Sequence, residues 1–172
     1  AAHMNNMNIT LIGMPGSGKS YIGKLLAEKL GFTFVELDSI LEKEYSSPLQ
    51  KILETLGDEA FLERQAKDVI EHTRNGDRLV ISPGGSIVYT DAAMRHLKNI
   101  STVVYLKSSF ETIRKRVADA PRGIVGLKDK TLEQLFKERT VLYEQWASVV
   151  IDADQDADTV ARDVLKALKN HV

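Results

Sequence analysis

The sequence predicts a three-layer α/β/α sandwich around a central, mostly parallel sheet of five strands. Short β-branched runs alternate with stretches of helical periodicity along the chain, glycine-rich turns follow the first and third runs, and polar residues gather where runs end. In sheets of this kind crossovers are right-handed, and ligands bind beyond the carboxyl ends of the strands.

Each element can be justified in order. Asn8-Ile9-Thr10-Leu11-Ile12 is the first buried-strand pattern, and Tyr21 to Leu30 repeats its apolar positions at helical spacing, with the helix beginning at Lys19. Thr33-Phe34-Val35 is a short second strand ending at Glu36 and Asp38, and helical periodicity resumes from about Ser39 to Glu44. Pro48 to Leu56 and Glu59 to Arg74 read as two helices separated by Gly57-Asp58. Arg78 to Ser82 is a third strand, closing in the turn Pro83-Gly84-Gly85-Ser86, after which Thr90 can cap a helix through about Leu97. Thr102 to Leu106 is the fourth strand and Ser109 to Val117 the next helix. Residues 118–130, with Pro121, Gly123 and Gly126, have loop chemistry; Thr131 to Trp146 is a long helix, Val149-Val150-Ile151 the last strand and Ala157 to Asn170 the closing helix.

Composition sets bounds. A length of 172 residues suits one domain with a substantial core, and Ala1 to Met4 reads as a cloning scar outside it. The net charge of −1 gives no electrostatic reason to expect nucleic acid. With no cysteine, disulfides and thiolate-bound zinc are excluded, which fits a reducing compartment. No apolar run is long enough to span a membrane and no secretory pattern opens the chain, so a soluble, cytoplasmic protein is expected, with a monomer as the default. His72 and His96 have no partner at metal-ligand spacing along the chain and are expected at the surface or in packing.

The chemistry is concentrated first in Gly13 to Ser20, GMPGSGKS, a complete GxxxxGKS phosphate-binding loop set between a strand and a helix. Gly13, Gly16 and Gly18 allow backbone amides to approach an anion, with Ser17 among them, and the helix N-terminus adds about half a positive charge. Lys19 is placed to reach β- and γ-phosphates and the Ser20 hydroxyl to ligate Mg²⁺, and Tyr21, next along the helix, is counted with the nucleotide-binding residues. Glu36 and Asp38 follow the second strand and Pro83 to Ser86 the third, so all three clusters are expected to share one crevice. There Glu36 suits a metal bridging phosphate oxygens, and Asp38 suits a substrate hydroxyl that must lose a proton. Phe34, Phe61 and Leu62 are expected in the core.

The succession GMPGSGKS, a short strand ending ELD, LGDEAFLERQ, ISPGGS, a lid-like APRG and ERTVLYEQWA resembles the shikimate kinases, P-loop enzymes of the nucleoside-monophosphate-kinase-like group, from about Ile9 to Ile151. The resemblance implies transfer of the ATP γ-phosphate to a hydroxyl of shikimate, a step in aromatic amino-acid biosynthesis, with Mg²⁺ and a lid at about 118–130. It implies that Lys19, Asp38 and Arg122 are catalytic, Arg122 as the lid arginine on the transferred phosphate. Gly84, Gly85 and Ser86 would form the shelf under the substrate, Arg139 would pair with its carboxylate, and Lys115 would pack against adenine. Departures from the family pattern fall mainly on the acceptor side. Leu62 stands where the family has a carboxylate-binding arginine, with Arg64 two residues on, and Ser86 replaces the third glycine of a GGG run. Glu36 replaces the first acid of DxD, and Arg122-Gly123 replaces RP. A kinase for another small hydroxy acid or polyol, and a nucleotide-binding protein without transfer, remain as alternatives.

Overall fold

The computed structural model describes residues 7–119 and 123–171. Ala1 to Met4 and Arg122 lie outside the described residues. The strands are β1 (Asn8–Ile12), β2 (Thr33–Glu36), β3 (Leu79–Ser82), β4 (Ser101–Lys107) and β5 (Val149–Asp152). They pair in the order β2-β3-β1-β4-β5, and every pairing is parallel, which tightens the expectation of a mostly parallel sheet.

Alternation along the strands builds the two outer layers. Ile9, Leu11, Val80, Val104 and Leu106 face Ile22 and Leu26 of helix α1 (Lys19–Leu30) and Val160, Ala161 and Val164 of helix α7 (Ala157–His171). Ile12, Ile81, Val103 and Tyr105 face the opposite layer, made by α3 (Leu49–Thr73), α4 (Asp91–Ile100), α5 (Phe110–Asp119) and α6 (Leu132–Trp146). A smaller cluster of Leu41, Ile52, Phe61 and Val125 joins α2 (Leu37–Tyr45) and α3 to the loop before α6. Among the described residues no helix is long and apolar enough to cross a membrane.

Some boundaries differ from expectation for local reasons. Helix α2 begins at Leu37 rather than near Ser39, so Asp38 lies in its first turn, where the helix dipole favours a carboxylate. The two helices expected around Gly57-Asp58 abut within α3, with Gly57 at φ 81° and ψ 167° breaking the helical path between them. A 3-10 turn, Gly85–Tyr89, continues directly from the glycine-rich turn after β3, where only a loop was expected. Thr90 precedes α4, yet its side chain makes no capping hydrogen bond. Thr131, by contrast, closes a full capping box at the start of α6: its hydroxyl accepts from the Gln134 amide at 3.1 Å and its own amide donates to Gln134 Oε1 at 2.9 Å.

That box fixes the start of the helix that carries Arg139. Thr131→Ala is expected to cost about 1 kcal/mol and lower the melting temperature by roughly 2–4 °C, read by calorimetry.

Candidate active site

Strand order explains why the polar clusters meet. β2, β3 and β1 are neighbours, so the phosphate loop, Glu36 and Asp38, and the Pro83 to Ser86 turn all leave the same edge of the sheet. Between them lies a cleft of about 660 Å³. It is lined by Gly16, Gly18, Lys19, Ser20 and Tyr21 from the loop and α1, by Glu36, Asp38, Gly85 and Ser86, and by Arg116 and Arg139.

On the phosphate side, Gly18 caps α1 in the left-handed region at φ 92°, a conformation that costs a side-chain-bearing residue roughly 1–2 kcal/mol. Lys19 is buried, its ammonium donating to the carbonyls of Gly13 at 2.7 Å and Met14 at 2.9 Å. The Ser17 amide donates to the Met14 carbonyl at 3.1 Å, while its buried hydroxyl has no hydrogen-bond partner among the described residues. Cationic charge and the α1 N-terminus thus border one small concavity, as a polyphosphate requires. Tyr21 is exposed at the rim.

Lys115 does not line this cleft; it is exposed on α5. Its neighbour Arg116 reaches the loop instead, donating through Nη1 to the Gly16 carbonyl at 2.7 Å. One residue along a helix is a rotation of about 100°, so of three consecutive cations only one face could reach the loop.

Beside Lys19, Ser20 Oγ donates to Glu36 Oε2, and Ser39 Oγ donates to Glu36 Oε1 at 2.6 Å. This is an all-oxygen set bordering the phosphate loop, the donor chemistry that Mg²⁺ prefers.

On the opposite wall, Gly84 sits at φ 95° where two side chains crowd its α-carbon. A Cβ there would stand 2.7 Å from Gln65 Nε2 and 3.0 Å from Asp38 Oδ1, so glycine is what allows both groups to reach the shelf. The Gly85 carbonyl accepts from the Tyr143 hydroxyl at 2.7 Å. Burial pushes the Tyr143 phenol up to about 12, which keeps it a donor. Ser86 is buried, and its hydroxyl donates to Gln65 Oε1 at 3.1 Å. Gln65 was missed by sequence reasoning although it closes the segment LGDEAFLERQ; its other signal was an apolar-face position on α3 occupied by an amide. Phe61 is both core and cleft wall.

Arg139 is 1% exposed and lines the cleft. Leu62 packs with Leu41, Ile52, Phe61 and Val125. Arg64 turns elsewhere, pairing with Glu44 at 3.1 Å and Asp68 at 3.3 Å, and is absent from the cleft wall. His72 adjoins the same two carboxylates, which corrects the expectation that it has no partner at metal-ligand spacing: Asp68 stands four residues before it on α3, and Glu44 comes from α2. Burial first, then a hydrogen bond with Glu44, pushes the Asp68 carboxyl up, and that bond holds Glu44 low.

Comparison with known proteins agrees with this geometry. A model of the shikimate kinase family matches residues 15–169. A shikimate kinase from Persephonella marina is 38% identical over 80% of this chain and 84% of its own length. One from Sulfurihydrogenibium sp. is 34% identical over 94% of this chain and 98% of its own. Threonine synthase-like 1 of Mus musculus is 35% identical over 98% of this chain, which spans 23% of that protein. Among solved structures, shikimate kinase from Acinetobacter baumannii in complex with shikimate superposes with a TM-score of 0.86 at 29% identity, covering 98% of this chain and 96% of that one. A gluconokinase from Sinorhizobium meliloti, at 19% identity and a TM-score of 0.63, shares the fold.

The placement of the α5 cations has a direct consequence. Arg116→Ala should raise KM for ATP about tenfold through loss of a charged hydrogen bond to the loop, whereas Lys115→Ala should stay within about twofold, both read in steady-state kinetics.

Proposed function

This chain belongs to the shikimate kinase family, and we propose that it transfers the γ-phosphate of ATP to a hydroxyl of shikimate. The observation that carries this reading is the meeting of the phosphate loop, the Ser20 and Glu36 oxygens, the Asp38 carboxylate and the buried Arg139 guanidinium in one cleft. The same reading makes it a cytoplasmic enzyme of aromatic amino-acid biosynthesis, one domain and a monomer.

The loop amides and Lys19 hold the β- and γ-phosphates, and Arg116 braces the loop from α5. Ser20 and Glu36 would hold Mg²⁺, which would supply positive charge against the phosphate oxygens. Asp38 accepts the proton of the acceptor hydroxyl as its oxygen bonds to the γ-phosphorus; the bond to the bridging oxygen breaks and ADP leaves. Because the transition state is loose, most of the acceleration comes from orientation and charge neutralisation. Gly84, Gly85 and Ser86 form the floor, and the Arg139 fork pairs with the acceptor carboxylate. The segment 118–130 acts as a lid, with Arg122 contributing charge to the transferred phosphoryl group.

A second reading, a kinase for another small hydroxy acid or polyol, is favoured by one observation: Leu62 offers no cation, and Arg64 is committed to Glu44 and Asp68. A buried carboxylate left with one guanidinium fewer forfeits roughly 2–5 kcal/mol.

Purified protein should release ADP in a shikimate-dependent, saturable manner; release at millimolar levels only with another hydroxy acid or a polyol would transfer the assignment to that compound. Asp38→Asn should lower kcat by about 10²–10⁴-fold while ATP binding, measured by calorimetry, changes little. Removing Mg²⁺ with EDTA should abolish ADP release, and added Mg²⁺ should restore it.

A further inference from the structure

Arg139 enters the cleft almost fully buried, so water cannot orient its guanidinium and the protein must. Nη2 donates to the Val125 carbonyl at 2.8 Å. Nε donates to the Tyr89 hydroxyl at 3.3 Å, and Cζ stands 5.2 Å from the centre of the Tyr89 ring. Nη1 is turned toward the shelf, where a Cβ on Gly85 would lie 3.1 Å from it. Tyr89, at the end of the 3-10 turn, therefore touches this guanidinium with both its ring and its oxygen.

The hydroxyl is itself held. It donates to Glu138 Oε2 at 2.5 Å, and Glu138 Oε1 accepts from Lys130 Nζ at 2.5 Å. Donor and acceptor directions follow from the residue types, since a guanidinium only donates and an ionised carboxylate only accepts. The single phenolic proton goes to Glu138, and a lone pair is left aimed at Arg139 Nε. Burial, then the bond to Glu138, pushes the Tyr89 phenol up; Lys130, then Tyr89, holds the Glu138 carboxyl low. The phenol stays protonated and the carboxylate charged across the neutral range, so the direction of the relay is preserved.

We propose that Tyr89 is a positioning residue for the acceptor site: with Glu138 and Lys130 behind it, it sets the rotation of Arg139 so that the Nη1 edge meets an acceptor carboxylate over the Gly85 shelf. This rests on Arg139 being the carboxylate partner, as stated above. The residues in the relay come from separate elements: the turn after β3, helix α6 and the loop before it. Alignment of these elements is thereby read out at one guanidinium.

The test is a double-mutant cycle on the whole enzyme, with shikimate as the acceptor. Tyr89→Phe keeps the ring and removes the oxygen, and should raise KM for shikimate about tenfold with KM for ATP and kcat within about twofold. Glu138→Ala should move KM for shikimate in the same direction. The double variant should be no worse than the worse single one, because both act on Arg139 through one hydroxyl. Melting temperatures are to be measured alongside, and a KM effect that persists in a Tyr89→Phe protein of unchanged melting temperature supports positioning over general destabilisation. An active wild type whose Tyr89→Phe variant keeps its shikimate KM, or raises both KM values together, overturns the role of Tyr89 alone; additive effects in the double variant overturn the relay. A wild type with no shikimate-dependent ADP release overturns the acceptor reading, and the positioning role with it.

Discussion

Parallel pairing of β2 with β3 and β3 with β1 is the constraint on which the site depends. Register places Glu36 opposite Ser82, and Thr10 and Val35 both opposite Ile81, so three strands reach the sheet edge at nearly one level. A slip of one residue would turn the buried side chains of a strand to the other layer, and the two apolar layers make that prohibitive. Hydrophobic packing thus determines where the phosphate loop, the acids and the glycine shelf emerge. None of these groups needs to find the others by its own attraction.

Much of this was legible in the chain. Strand and helix periods alternate without ambiguity, and the phosphate loop carries its own flanking context. What escaped has a common physical origin: rotation about a helix axis and contact across elements. Three consecutive cations, Arg114, Lys115 and Arg116, look equivalent in sequence, and only the docking of α5 against the loop selects Arg116. Tyr89 belongs to no motif, and Gln65 closes the LGDEAFLERQ segment without a role of its own there; each acquires meaning from a partner at long range, Arg139 for Tyr89 and Ser86 for Gln65. The 3-10 turn after Gly84 was hidden because a glycine-rich run is compatible with many backbone paths.

The two walls of the cleft differ in how closely they keep to the family pattern. The phosphate wall is built from backbone and a short set of side chains, Lys19, Ser20 and Glu36, whose chemistry a polyphosphate dictates. Across the cleft, recognition depends on side chains that can be exchanged: Leu62 is apolar, Arg64 is engaged with Glu44 and Asp68, and the shelf carries a hydroxyl. Nearly the whole chain also aligns to about a quarter of a longer protein, threonine synthase-like 1, so the unit recurs within larger chains.

The Ser86 to Gln65 bond has a bearing on how such a wall can evolve. Both groups are buried, and the Ser86 hydroxyl is paired with the Gln65 carbonyl oxygen. Replacing either one by an apolar residue strands a polar atom at a cost of about 1–3 kcal/mol, while replacing both can be nearly neutral. The positions are therefore epistatic. A change at one of them is better tolerated when the other changes with it, so the two positions vary as a coupled pair.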